Sequence, residues 1–389
     1  MSAPLPLTSP RRGSAAAEGC SPDHGTPADA ITLTYDCLAP VSQLLTVLSP
    51  NSGSSEYWYD LANNRTQRVQ GPDGEQVTTA YTYTKADHLL TAGPVTVTVD
   101  QNGNLTRRLG GSVDDTFVYD QANRLVRATI VESGTPVVTT YTYDGDGRRV
   151  TIASGAATTR YVHDLNRRLP VLLDDGTRSY VWGVPISNQG LVYAVDRTPS
   201  LLVYHANGRG SIVSLTDGSG TVTQTYLTDE FGVPTVIDGT VGFSQPFLFT
   251  GEPYDDETNL LYLRARYYHP ELGRFISRDD FAGRSRDPLS LNRFIYTGNN
   301  PTSWADPSGK VSIALCGIIA AARRDTSARP RFAQRWSLMR PPPWSGFASS
   351  SYRSCRSASL EAWAAAAGRA SSVPWVSPSR PATRRTSRI

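Results

Sequence analysis

The chain has little that could staple it or anchor it. Its four cysteines, Cys20, Cys37, Cys316 and Cys355, show no C-x-x-C spacing, so neither a disulfide framework nor a zinc site is expected and the thiols read as unpaired. Long apolar runs are also missing: the longest, VSIALCGIIAAA at 311 to 322, falls short of the roughly 20 residues needed to span a bilayer. The opening MSAPLPLTSPRRGSAAAEGC has no apolar core behind its charges, and no signal peptide is expected there. His24, His88, His163, His205 and His269 stand singly without metal-ligand spacing. No P-loop, G-x-S-x-G or H-E-x-x-H occurs, so no cofactor is expected. An excess of one charge is lacking too, since 38 Lys and Arg against 35 Asp and Glu leave +3. That balance argues against a nucleic-acid partner.

The balance hides a split. From Lys310 onward, 14 basic and 2 acidic residues give +12, whereas the 24 basic and 33 acidic residues before it give −9. The basic stretch is rich in Arg, Ser, Ala and Pro and carries Pro-Pro-Pro at 341 to 343, a composition that buries little apolar surface. It reads as a low-complexity tail, and the Pro- and Ala-rich residues 1 to 30 read as disordered.

What is present is a repeat. TLTYDCLAPVSQLLTV (33 to 48), YWYDLANNRTQRV (57 to 69), YTYTKADHLLTA (81 to 92), VTVDQNGNLTRRL (97 to 109), FVYDQANRLVRATI (117 to 130) and YTYDGDGRRVTI (141 to 152) share one grammar. Alternating Thr, Tyr and Val lead to Tyr-Asp or a close relative. Then come Asn, Asp or Gly, and then an Arg-containing apolar stretch. Tyr35, Tyr59 and Tyr83 are 24 residues apart, as are Tyr119 and Tyr143. A fixed period of this length means stacked supersecondary units. The period-2 alternation marks half-buried strands, and Asn63-Asn64, Asn102-Gly103 and Asp144-Gly-Asp-Gly147 supply the positive φ that two-residue hairpin turns require. One repeat is one β-hairpin, and since lone hairpins are marginal in water, successive ones must pair into a growing sheet. YVHDLNRRLPVLLDDGTRSYVWG (161 to 183) and residues 204 to 234 continue the pattern less regularly. The fold class expected is all-β.

Because Tyr-Asp recurs at a fixed period, its expected role is structural: the ring packs on the next hairpin and the Asp caps the turn. A site needs a departure from the repeat, and NLLYLRARYYHPELGRFISRDD (259 to 280) with SLNRFIYTGNNPTSWADPSGK (290 to 310) is that departure. Arg266, Arg274 and Arg278 surround Asp279 and Asp280, and Asp306 opens an Asp-Pro-Ser-Gly turn. Two carboxylates folded together cannot both stay ionised, so one can retain a proton while the other activates water and an Arg polarises a carbonyl. The same residues can equally be a buried ionic brace.

The Tyr-Asp repeats followed by LLYLRARYYHPELGRFISRDD and SLNRFIYTGNNPTSWADPSGK resemble the repeat-associated core of Rhs/YD-repeat proteins. These are bacterial toxin carriers akin to the C components of insecticidal toxin complexes and, more distantly, to teneurins. The resemblance covers residues 30 to 309 and is most specific over 248 to 309. It implies a β-strip spiralling into part of a shell, closed by the core segment as a plug. Residues 1–30 then form a disordered lead, 31–160 the YD hairpins, 161–309 the core domain and 310–389 a variable tail. It implies further that a C-terminal polypeptide is enclosed as cargo and freed by autoproteolysis. Carried over by position, the cleaving residues are Asp279 and Asp306 with Arg266 assisting, and the cut falls near Gly309, Lys310 and Val311. Three positions depart from the family's pattern: Asp280 follows Asp279 where Pro is usual, Lys310 stands where Leu is usual, and His269 replaces the Asp of Tyr-Tyr-Asp-Pro. The resemblance places the protein in a secreted or cell-surface setting, with further YD-repeat or secretion-system polypeptides as partners. Two other readings stay open: a surface module whose tyrosines recognise glycans or partner cells, and a truncated or frameshifted remnant.

Overall fold

A computed structural model describes residues 32–36, 42–49, 53–72, 74–132, 134–183, 190–197, 200–238, 245–286 and 288–314. The expected disorder of residues 1 to 30 and the character of the tail beyond residue 314 lie outside the described residues. Within them the chain is all-β. Strands β1 (Thr32–Asp36) to β13 (Ala157–Arg160) form one 13-stranded sheet in sequence order, and β14 (Val162–Asp164) to β21 (Pro234–Asp238) an 8-stranded one. Consecutive strands pair antiparallel throughout, so the sheets grow hairpin by hairpin without crossovers.

The Asp-led turns are longer than the two-residue connections expected there, whereas the alternate connections at 93–94, 111–112 and 155–156 do have two residues. In the turn from Asp100 to Asn104, Gly103 N donates to Asp100 O (3.0 Å) and Asp100 N to Asn104 O (2.9 Å). Asp100 Oδ1 meanwhile accepts the N–H groups of Asn102 and Asn104, both at 2.9 Å. Asp120 treats Ala122 and Arg124 in the same way. The fourth residue needs a left-handed backbone, with φ of 86° at Gly103 and 58° at Asn123. The carboxylate offers two orphaned donors an acceptor, which makes the five-residue turn preferable to a tighter one. Tyrosines at the strand end before the turn reach the preceding hairpin, Tyr59 Oη donating to Leu44 O (2.9 Å), Tyr83 Oη to Arg65 O (2.8 Å) and Tyr143 Oη to Leu125 O (2.6 Å), whereas Tyr119 Oη donates to Ile276 O (3.4 Å). The pair is structural in both halves.

One face of the first sheet buries Tyr81, Leu89, Val97, Leu105, Phe117, Leu125, Tyr141 and Ile152. Its other face carries threonine pairs such as Thr82–Thr91 and Thr142–Thr151. Against the buried face lies the core segment, whose short strands β22 (Tyr254–Asp255), β23 (Leu260–Leu263), β24 (Arg266–His269) and β25 (Arg274–Phe275) are buried at every position. Alternate residues of β23 serve opposite cores. Leu260 and Tyr262 join the cluster under the first sheet, whereas Leu261 and Leu263 join that under the second with Phe247, Tyr268 and Phe275. A strand covered on both faces needs apolar residues at every position, which is why LLYL does not alternate.

Buried arginines fasten the sheets to this segment. Arg65 lies among the rings of Tyr57, Tyr81 and Phe231 and donates to Glu271 O (2.6 Å). Arg149, among Tyr141, Tyr161, Tyr262 and Tyr267, pairs with the buried Asp255. From the other side Arg274 stacks on Tyr83 and Phe294 and donates to Asp87 O (2.6 Å). Asparagines add to these ties: Asn292 Nδ2 donates to Ala62 O and Asn64 Oδ1, and Asn299 Nδ2 to Asn63 O.

The turn at 229 to 233 is a further tie, because it inserts Phe231 between Tyr57 and Arg65. Here the cap is half-buried, with its Oδ2 shut off from solvent. Asp229 Oδ1 accepts from Phe231 N (2.9 Å) and Val233 N (2.8 Å), while burial first and then the neighbouring Glu230 push its carboxyl up to about 7, Arg68 opposing. With the folded pKa above the unfolded one, the stability it contributes is full below about pH 4 and is lost as pH rises through about 7. Asp229→Asn is neutral at every pH. Its urea midpoint is therefore expected to exceed the wild type's at about pH 8 and to converge with it near about pH 4. A constant difference across that range would contradict the assignment.

Candidate self-processing site

The hairpin formed by β23 and β24 turns at Arg264 and Ala265, since Leu263 pairs with Arg266. Onto this turn folds the Asp-Pro-Ser-Gly turn that follows β26 (Trp304–Ala305) and precedes β27 (Ile313–Ala314). Three successive carbonyls of the second turn are held by three successive residues of the first. Arg264 Nη1 donates to Pro307 O, Ala265 N to Ser308 O (3.3 Å) and Arg266 Nε to Gly309 O. The approach is close: a Cβ on Gly309 would stand 2.4 Å from Leu263 O, and its φ of 67° is left-handed as well.

The structure brings Arg266, Asp279 and Asp306 together beside Gly309, Lys310 and Val311, whereas Arg274, also expected around the aspartates, is drawn away to Asp87 O and the rings of Tyr83 and Phe294. Arg266 Nη2 lies 2.7 Å from Asp279 Oδ2 and 3.7 Å from Asp306 Oδ2, so both carboxylates face one guanidinium nitrogen. Asp306 is 3% exposed, and its Oδ1 accepts Lys310 N and Val311 N (both 3.1 Å) and the Ser308 hydroxyl (3.0 Å). Burial pushes its carboxyl up, with Arg266 and these hydrogen bonds working against the rise. The Arg266 guanidinium is pulled down by burial in spite of both aspartates. It also stacks 3.6 Å from the Phe275 ring and donates to Arg293 O (3.0 Å). Asp279 is fixed by its own N–H to Arg293 O (3.0 Å) and by Phe281 N on its Oδ1 (2.8 Å). The Gly309–Lys310 peptide is thus held from both ends, its oxygen by Arg266 and its nitrogen by Asp306.

Arg264 and Ser308 were not singled out in the sequence. Arg264 is two residues before Arg266, and on a hairpin that spacing was the available signal. It also bonds Glu252 Oε2 (2.9 Å) and Pro170 O (3.3 Å), tying the site to the second sheet. Ser308 Oγ accepts Lys310 N (3.1 Å) and Val311 N (3.0 Å). His269 lies apart from the site. It is 2% exposed with Nε2 2.5 Å from Arg108 Nη1, and burial followed by that charge lowers its pKa well below the usual value. Among the described residues there is no group of His, Cys, Asp or Glu that could hold a metal.

Hairpin sheets in sequence order around a core segment define an architecture, and the family comparison gives it a name. The profile of the teneurin YD-shell matches residues 25–302. This chain belongs to the teneurin YD-shell family. Among curated relatives of this YD-shell chain, the tRNA3(Ser)-specific nuclease WapA of Bacillus spizizenii is 30% identical over 260 residues, covering 65% of this chain and 11% of the relative. Toxin protein Tse5 of Pseudomonas aeruginosa is 25% identical over 285 residues, 69% of this chain and 20% of Tse5. The chain therefore spans about a tenth to a fifth of the length of these relatives. The crystal structure of TcdB2-TccC3-Cdc42 aligns with 72% of this chain and 17% of its own, at 18% identity and a TM-score of 0.47. No helix among the described residues is long and apolar enough to cross a membrane.

The close approach at Gly309 has a measurable consequence. In Gly309→Ala the left-handed backbone alone costs about 1–2 kcal/mol, and the Cβ meets Leu263 O. The turn should lift from the hairpin, so that amide hydrogens of Lys310 and Val311 exchange about tenfold faster. Unchanged exchange would mean that the two turns are not clamped.

Proposed function

We propose that this YD-shell chain is the wall and plug of a toxin carrier, which encloses and presents a C-terminal polypeptide and severs itself from it. In this reading residues 31–160 are wall, 161–309 the core domain and 310–389 the part set free. It acts in a secreted or surface setting alongside further YD-repeat or secretion-system polypeptides. The observation that carries the reading is the grip on the Gly309–Lys310 peptide by Arg266 and Asp306, with Asp279 on the same guanidinium. Relatives whose names describe a nuclease and a toxin support the carrier class.

The chemistry is hydrolysis. Water adds to the Gly309 carbonyl carbon and gives its proton to the Asp279 carboxylate, while Arg266 steadies the charge developing on the oxygen. Asp306, protonated, donates to the Lys310 nitrogen as the C–N bond breaks. A Gly309 carboxylate and a Lys310 amine result. The raised Asp306 carboxyl suits it to the acid's part. The glycan-binding alternative asks for exposed rings, whereas Tyr81 and Tyr141 are buried against the core segment and Tyr57 against Phe231.

The test is the intact mass of the purified chain beside Asp279→Asn and Asp306→Asn. A wild-type product ending at Gly309, absent from both variants, is expected, and a product ending at Lys310 would move the cut by one bond. An uncleaved wild type would overturn self-processing. The rate should also depend on pH. Because the acid form of Asp306 persists above the usual carboxylate range, cleavage should quicken as pH falls from about 8 toward about 5. A rate that rises with pH would exclude Asp306 as the acid.

A further inference from the structure

Beside the Asp306 turn opens a cavity of about 490 Å³, lined among others by Tyr262, Arg264, Asp280, Ser308 and Lys310. Its rim carries a contact that the cleavage chemistry does not use: Lys310 Nζ lies 3.7 Å from Asp280 Oδ2. The other charges lining the cavity have partners of their own. Arg124 pairs with Asp120, Arg148 with Asp144 and Asp146, Arg149 with Asp255, and Arg264 with Glu252. Of the two acids in the lining, Asp146 is thus engaged by Arg148, and Asp280 is the one that meets the residue at 310.

The placement matters because Asp279 and Asp280 are neighbours on one anchored stretch, held by Asp279 N to Arg293 O and by Phe281 N to Asp279 Oδ1. One residue faces the guanidinium of the site and the next faces the side chain that follows the cut. From this geometry we infer that Asp280 is a specificity-determining residue, which favours a basic side chain at position 310 in the self-cleavage proposed above. The selection acts on how often the Lys310 amide is seated on Asp306 and leaves the chemical groups alone. Both side chains are largely exposed, 56% for Lys310 and 85% for Asp280, so the effect is modest and sensitive to salt. An exposed pair of this kind changes a rate by about two- to fivefold.

The experiment is a charge-swap cycle on the full chain, with cleavage followed by intact mass. Lys310→Glu and Asp280→Lys are each expected to slow cleavage about two- to fivefold at low salt, and the double variant to return to within about twofold of wild type. At about 0.5 M salt the differences should shrink. A double variant no faster than the slower single, in a background where the wild type cuts, overturns the selection and leaves the self-cleavage standing. A wild type that stays intact overturns both.

Discussion

Everything else in this molecule depends on guanidinium groups buried among tyrosine rings where the sheets meet the core segment. A curved sheet with one apolar face needs something to lie against, and here that surface is a few short strands. Leucines alone would fill the space without fixing which hairpin sits where. Arg65, Arg149 and Arg274 add direction, because each lies against rings from separate parts of the chain and bonds a particular carbonyl or carboxylate. The cost is the dehydration of a cation, and the rings, hydrogen bonds and Asp255 offset it only in the native register. Order among look-alike hairpins thus comes from a few polar contacts in an otherwise apolar contact zone.

The hairpin grammar was legible because it is local. Thr and Tyr alternation, the 24-residue spacing and the Asp before the turn each act within one repeat, and the structure returns them as strand, period and cap. The turn length was misread, since the same Asn-Gly and Asp-Gly pairs fit two-residue hairpins unless the side chain of Asp100 or Asp120 is counted as an acceptor. In the core segment, LLYLRARYY showed no alternation, and only its assignment to two opposed cores explains that.

For the site, residue types and order marked a cluster of arginines and aspartates, and the family resemblance narrowed it to Arg266, Asp279 and Asp306, but neither gave their arrangement. The aspartic pair pictured from the sequence has two carboxylates sharing a proton. Folded, an arginine nitrogen faces both of them and a peptide group reaches into the same space. The clamp by Arg264, Ala265 and Arg266 could not be read at all, because all three of its bonds end on backbone carbonyls of a turn 43 residues away. Sequence displays side chains; this clamp is written mostly in main chain.

The anchoring of Arg65 and Arg149 on a single rigid segment limits how the strip can vary. The main-chain donors of turns such as Asp100–Asn104 and Asp120–Arg124 are met within the turn, so a hairpin could be duplicated or lost without stranding them. Between the two arginines that freedom disappears, for Glu271 and Asp255 stand a fixed distance apart and an extra hairpin would carry one arginine past its mark. The core segment acts as a ruler that counts the repeats laid across it, and variation in length is confined to the strands that lie beyond its ends.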